Sequence, residues 1–328
     1  MVASASTASS LRRRRLDHVD AMRPVKQLGV LSTHALLFFA PATAWAGALL
    51  TLLHVSREGF LFVSACMLTY AYYDISWHDI GRFWRRRLVA VGLPYLCWTV
   101  IYFAIGLPSF RGSAASAAAH FGMLVLTGYY QLYFLVVLLQ FYVLFPAVVW
   151  LLKRTERHHL ALLVVSLVLQ VGYTAALHWG ALPEGLAATR EVMSYQLYLV
   201  AGCLAAVHYE AVHHWLTRHV RLVIVAACGT AALAELWYWL ALDPSFRFLG
   251  SPSDPFYPVV IPFNLAAIAL IYVIGVGLVR PRSSPSLGRL THVGADNSYA
   301  VYLSQVVFPP DPSRARLATL EHRHPVAA

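Results

Sequence analysis

The groups in this chain most able to do chemistry lie in or beside apolar sequence, and the first pair is Arg23 and His34. At about 100° per residue, their spacing of eleven positions is about 20° past three full turns, so a helix carries both on nearly one face, about 16 Å apart along its axis. Arg23 then stands at the helix mouth and His34 near the middle, with Gln27 and Ser32 adding polarity, Ser32 on a different face. Neutral imidazole is a general base at physiological pH, as lysine and arginine are not. A buried histidine that simply bonds to a neighbouring helix is the competing explanation.

Ser56-Arg57-Glu58 interrupts the apolar run LLHVSREGFLFVSACML. Adjacent opposite charges fit two settings. One is the outer interface of a membrane span, where each group reaches water or headgroups; the other is a buried pair that orients or tunes His34 from the next helix. Ser64, deeper in the run, would line the same cavity. The third group is Arg82, Arg85, Arg86 and Arg87 in GRFWRRRLVAVGLPYLCW. Guanidinium binds phosphate oxygens in pairs, and Phe83 and Trp84 offer a stacking surface for a nucleotide base. Charge that merely marks a cytoplasmic loop would look the same.

The elements that must position these groups are membrane spans. Apolar residues make up 59% of the 328 and charged residues 12%, against about 45–50% and about 25% in soluble domains. That excludes a soluble globular protein. Scattered Pro and Gly without a repeat exclude a collagen-like or disordered chain as well. Apolar stretches lie near 25–44, 47–72, 88–106, 131–152, 160–178, 193–208, 222–241, 258–279 and 296–309, to be compared with the roughly 20 residues that cross a bilayer core of about 30 Å. The expected fold is an all-α polytopic transmembrane helix bundle of about nine spans, the last cut short at Pro309, Pro310, Asp311 and Pro312.

Every second connection is basic. Eighteen of the 25 Lys and Arg fall on one side: Arg12 to Arg15, Arg23 and Lys26; Arg82 and Arg85 to Arg87; Lys153, Arg154 and Arg157; Arg218 and Arg221; Arg280, Arg282 and Arg289. Arg111, Arg190 and Arg247 fall in the opposite loops. The positive-inside rule therefore places the N-terminus in the cytoplasm of a cell-membrane protein, and it accounts for most of the net charge of +10 without a nucleic-acid partner. Residues 1–24 read as a basic cytoplasmic segment without the apolar core and cleavage site of a secretory signal, residues 25–309 as the transmembrane domain, and residues 310–328 as a polar tail. Cys66, Cys97, Cys203 and Cys228 all fall in apolar spans and are expected to be small buried hydrophobes. Adjacent His158 and His159, or His213 and His214, point in different directions on a helix, so no metal site is expected.

Taken in order, several segments resemble the acyltransferase-3 family of integral-membrane O-acyltransferases. They are Val19-Asp20-Ala21-Met22-Arg23 with His34; Glu58-Gly59-Phe60-Leu61-Phe62-Val63-Ser64-Ala65-Cys66; Phe83-Trp84-Arg85-Arg86-Arg87 with Pro94 and Tyr95; Tyr130-Gln131-Leu132-Tyr133-Phe134 with Pro146; and Gly294-Ala295-Asp296-Asn297-Ser298-Tyr299-Ala300-Val301-Tyr302-Leu303. The resemblance implies transfer of an acyl group, commonly acetyl, from cytoplasmic acyl-CoA to a hydroxyl of a glycan or other small acceptor. It implies that His34 is the essential base or acyl relay, that Arg23 helps hold the donor, and that Glu58 is the acidic member of the site. Arg82, Arg85, Arg86 and Arg87 would contact the CoA phosphates, and Arg57, Ser64 and Gln305 would line the cavity. No bound cofactor is implied, because acyl-CoA is a substrate.

The chain departs from the family pattern in three places. The second arginine of an RxxR motif falls at Ala90, so either Arg82-Phe83-Trp84-Arg85 supplies the pattern one turn earlier or CoA binding is weakened. A Ser-Gly-Phe triplet is Ser64-Ala65-Cys66, and the final span has Gln305 where the family has His, before PPDPSRARLATLEHRHPVAA. A polysaccharide export component or transporter without acyl transfer, and an impaired, truncated family member, are the alternative readings.

Overall fold

Inside a bilayer each backbone N–H and C=O needs a partner within the protein, and continuous apolar sequence meets that demand as helix. The computed structural model describes residues 17–39, 43–107, 112–181, 190–249, 256–279, 297 and 299–304, with no strand among them. Its helices are α1 (Asp17–Phe39), α2 (Ala44–Leu53), α3 (Val55–Tyr72), α4 (Ile80–Gly106), α5 (Ala114–Thr127), α6 (Tyr133–Arg154), α7 (His159–His178), α8 (Gln196–Val207), α9 (Tyr209–Arg218), α10 (Val220–Ala241) and α11 (Val260–Leu278). Among the described residues, six paths are long and apolar enough to cross a membrane: Ala44–Tyr72, Trp77–Gly106, Tyr133–Arg154, Glu156–His178, Val220–Ala241 and Val260–Leu278. The pair α8 and α9, bent by 97° at His208, makes a seventh if taken as one path. The all-α polytopic expectation holds. Helix α5, with 14 residues, lies in a stretch with no expected span.

The outer faces of α4, α7 and α10 turn Leu93, Val100, Leu160, Val168, Val225 and Leu236 outward, the surface that lipid covers. Cys97 and Cys228 lie exposed on α4 and α10, while Cys66 and Cys203 are buried. The expectation of four buried cysteines therefore holds for two. Lipid is as apolar as a helix interface, so an apolar span does not tell its inward face from its outward one.

Helix α3 forms the centre, packed most extensively on α8 and also against α1, α6 and α11. Gly202 on α8 permits this approach. A Cβ there would stand 2.3 Å from the Phe62 carbonyl oxygen and 3.1 Å from the Ala65 Cβ. The methyl group of Ala65, a departure from the family triplet, is thus accommodated by the missing side chain opposite.

Between α7 and α8 the chain enters through a short 3-10 turn, Val192–Tyr195. Irregular backbone at such a place must be satisfied by protein, and glutamines do this. Gln140 donates to the Arg190 carbonyl at 2.8 Å and accepts from Val192 N at 2.9 Å. Gln170 donates to the Ser194 carbonyl at 2.8 Å and accepts from Leu197 N at 3.2 Å. At the C-terminal end of the described chain, Tyr302 and Leu303 are buried. The Tyr102 hydroxyl donates to the Leu303 carbonyl at 2.7 Å and the Tyr302 hydroxyl donates to the Gln131 carbonyl. The expected last span is docked at least as far as Leu303; Gln305 and the tail lie outside the described residues.

Gly202→Ala is expected to lower stability by about 1–3 kcal/mol through overpacking. Gly229→Ala on α10, where a Cβ meets nothing within 4 Å, is the control. Thermal unfolding in detergent compares them, and equal melting of the two variants would remove the α3–α8 contact from this role.

Candidate functional site

Arg57 and Glu58 lie on the first turn of α3, just after the break at His54 and near the middle of the Ala44–Tyr72 path. Successive helix residues diverge, yet the long Arg57 side chain curls back so that Nε and Nη2 donate to Glu58 Oε1 at 3.1 and 2.7 Å. Nη1 donates to the Tyr133 hydroxyl at 3.4 Å, and the guanidinium lies 5.1 Å from the Tyr195 ring and 5.3 Å from the Phe256 ring. With side chains 12% and 4% exposed, the pair occupies the buried setting and not the outer interface. Such burial persists only where pairing is good, because removing either partner strands a charge in an apolar interior.

Lys26, grouped by sequence with the cytoplasmic cations, is also inside the bundle at 1% exposure. Its Nζ donates to the Gly59 carbonyl at 2.8 Å and lies 4.4 Å from the centre of the Phe60 ring. Three residues on, a Cβ at Gly29 would meet Ser56 Oγ at 2.1 Å, so the Lys26–Gly29 face of α1 is the one laid on α3. That small residue at i+3 is the signal from which the inward direction of Lys26 could have been read.

A narrow cleft with a cavity volume of only about 10 Å³, room for about one water, lies beside Glu58, between α3, α7, α8 and α11. Gln170, Thr174, Ser194, Tyr198, Phe256 and Asn264 contribute to its wall. Asn264 donates through Nδ2 to the Tyr198 hydroxyl at 3.0 Å. None of these polar residues stood out in the sequence. Arg57 lies behind Glu58, and neither it nor Ser64 is among the residues that line this cleft. Ser64, six residues along α3 from Glu58, is about 240° further round the helix and half-buried.

His34 sits on α1, the helix packed against α2, α3 and α11. It is half-buried with Nδ1 enclosed, and Gln27, seven residues earlier on nearly the same face, is buried. The side chain of Arg23 lies outside the described residues.

The arginine group of α4 divides. Arg82 pairs with Asp79 at 3.0 Å on the surface, and Arg85 and Arg86 are exposed. Arg87 turns inward, 4.8 Å from the centre of the Tyr72 ring, with Nε enclosed and without a partner among the described residues. Phe83 is buried and stacked on Phe145 at 5.4 Å, while Trp84 Nε1 donates to the Tyr142 carbonyl at 3.1 Å. These two aromatics hold α4 to α6, which corrects the expectation that they form a base-stacking surface. Likewise His159 meets not its neighbour but His208, with Nδ1 and Nε2 2.8 Å apart. Among the described residues no cluster of three or more His, Cys, Asp or Glu could hold a metal.

The architecture and the buried ionisable groups define a polytopic helical membrane protein with a polar site inside its bundle. The model of the acyltransferase-3 family, described as an acyltransferase domain, matches residues 17–308, and the chain belongs to that family. It is also similar to the probable poly-beta-1,6-N-acetyl-D-glucosamine export protein of Staphylococcus aureus, at 22% identity over 275 residues, covering 76% of this chain and 74% of that one. No solved structure matches it.

Arg57→Ala is expected to destabilise the protein by about 3–5 kcal/mol, and replacing both partners, Arg57→Met with Glu58→Leu, to recover much of that loss. Melting of the three proteins in detergent checks this. A double variant as unstable as the single one would show that stranded charge is not the cause.

Proposed function

We propose that the chain is a membrane O-acyltransferase that moves an acyl group, in the first instance acetyl, from cytoplasmic acyl-CoA to a hydroxyl of a glycan or other small acceptor. The observation that carries this reading is an imidazole held in an apolar bundle with Nδ1 enclosed, in a chain of the acyltransferase-3 family. The acceptor hydroxyl adds to the thioester carbonyl as its proton passes to His34. The C–S bond then breaks and the imidazolium returns the proton to the departing thiolate, which leaves an O-acyl ester and free CoA. Arg23 helps hold the donor, and Arg82, Arg85, Arg86 and Arg87 attract its phosphates to a cytoplasmic mouth. Glu58, held by Arg57, supports the acceptor side, in a cell membrane with the N-terminus cytoplasmic.

The printed name of the Staphylococcus aureus relative favours a second reading, a glycan export path without acyl transfer. Labelled acetyl-CoA supplied to membranes containing the protein separates the two. Transfer to acceptor is expected, with a loss of about 10²–10⁴-fold in His34→Ala. Undiminished transfer in that variant would remove His34 from the assigned role. Glycan flux that needs no CoA and survives His34→Ala would select export.

A further inference from the structure

Two buried side chains on different helices border the cleft beside α3, and each keeps one acceptor oxygen without a donor among the described residues. Glu58 engages Arg57 through Oε1, which leaves Oε2; Asn264 on α11 gives Nδ2 to the Tyr198 hydroxyl, which leaves Oδ1. Each residue is 3% exposed. A buried acceptor left unsatisfied is costly to the fold, so both oxygens call for a donor from within the cleft.

Size and charge decide what that donor is. The space is about 10 Å³, at the lower edge of the roughly 10–15 Å³ that admits one water, and no organic group enters it. A bare metal ion is small enough. It would, however, set a further positive charge beside two that are already there, for Arg57 neutralises Glu58 and the Lys26 ammonium stands 2.8 Å from the carbonyl of the next residue, Gly59. An anion brings only more acceptors. Water brings two hydrogens and no charge, one hydrogen for each oxygen, and Ser194 and Tyr257 add hydroxyls to the same wall.

We infer that the cleft holds one ordered water, which donates to Glu58 Oε2 and to Asn264 Oδ1. It closes a hydrogen-bonded chain from Arg57 through Glu58, the water and Asn264 to Tyr198, and so links α3, α11 and α8 across the centre of the bundle. Both carboxylate oxygens of Glu58 are then held, one by the guanidinium and one by the water. Nothing in this link depends on acyl transfer.

A structure of the full chain, at a resolution that orders enclosed waters, tests the site directly. Density is expected within about 2.5–3.0 Å of both oxygens. Melting in sodium chloride and in choline chloride is expected to agree, and a sodium-dependent shift would put a metal ion in the cleft instead. Unfolding in mixed micelles tests the link. Asn264→Leu is expected to raise the unfolding constant about fivefold more in the otherwise unaltered protein than in the Arg57→Met, Glu58→Leu background, since loss of the Tyr198 bond is common to both and cancels. Three results would overturn the inference: no density there in a map that orders other enclosed waters, an Asn264 amide turned to give Nδ2 directly to Glu58, or equal effects of Asn264→Leu in the two backgrounds. Where a variant does not fold, the map of the unaltered protein decides alone.

Discussion

A charge inside an apolar bundle needs a partner, and the Arg57–Glu58 pair is where this chain meets that demand most directly. Its consequences spread outward. The guanidinium calls for Tyr133 at the start of α6, Tyr195 at the entry to α8, and Phe256 just before α11. Glu58, with one oxygen engaged, presents the other beside the cleft. One pair of neighbouring residues therefore ties together four parts of the fold and sets one carboxylate oxygen beside the cleft.

What keeps the pair in place is backbone approach and not hydrophobic force, since lipid competes equally for apolar side chains. Helix α3 is clasped on two sides: by Gly29 and Lys26 of α1, at Ser56 and Gly59, and by Gly202 of α8, at Phe62. These contacts bracket residues 56–62 and so enclose the ion pair. The glutamines on the other side serve the same end. Gln140 and Gln170 satisfy the irregular backbone around residues 190–197 that carries Ser194 and Tyr195 to the cleft and the guanidinium.

Of the nine expected spans, those near 47–72, 88–106, 131–152, 160–178, 222–241 and 258–279 match helices long and apolar enough to cross a membrane. They were legible because a run of apolar residues that long has few alternatives. The stretch near 25–44 falls mainly in α1, which does not meet that test, 193–208 belongs to the bent α8–α9 pair, and half of 296–309 lies outside the described residues. Helix α5 was not legible, for 14 residues, five of them Ala, fall below the length that marks a span. Direction around each helix was harder to read. Cys97 and Cys228 were expected inside and face out; Phe83 and Trp84 were expected to face a ligand and instead join α4 to α6. The Arg57–Glu58 doublet stood out as a charge in the wrong place, but sequence left two settings open, and only packing separates them. Asn264, Tyr198 and Gln170 carried no signal. Their importance lies in partners 66, 66 and 24–27 residues away, and local pattern holds no record of such distances.

Helix α3 also acts as a ruler between two chemistries. Its C-terminal residue Tyr72 underlies Arg87, and Glu58 near its N-terminus borders the cleft. Fourteen residues at about 1.5 Å each separate them by about 21 Å. On the acyl-transfer reading, phosphates drawn to the arginines of α4 cannot lie near the acceptor. The donor must instead be a molecule whose charged end and reacting end are joined by a long, uncharged arm, one that leaves its anionic part at the bundle's end while the acyl group travels inward. Such an arm suits the path it has to follow. On that reading the phosphates, which would be costly to bury, would stay with the exposed Arg82, Arg85 and Arg86 and with the inward-turned Arg87, and only neutral thioester would enter the apolar interior, where a partly enclosed imidazole would face less competition from water.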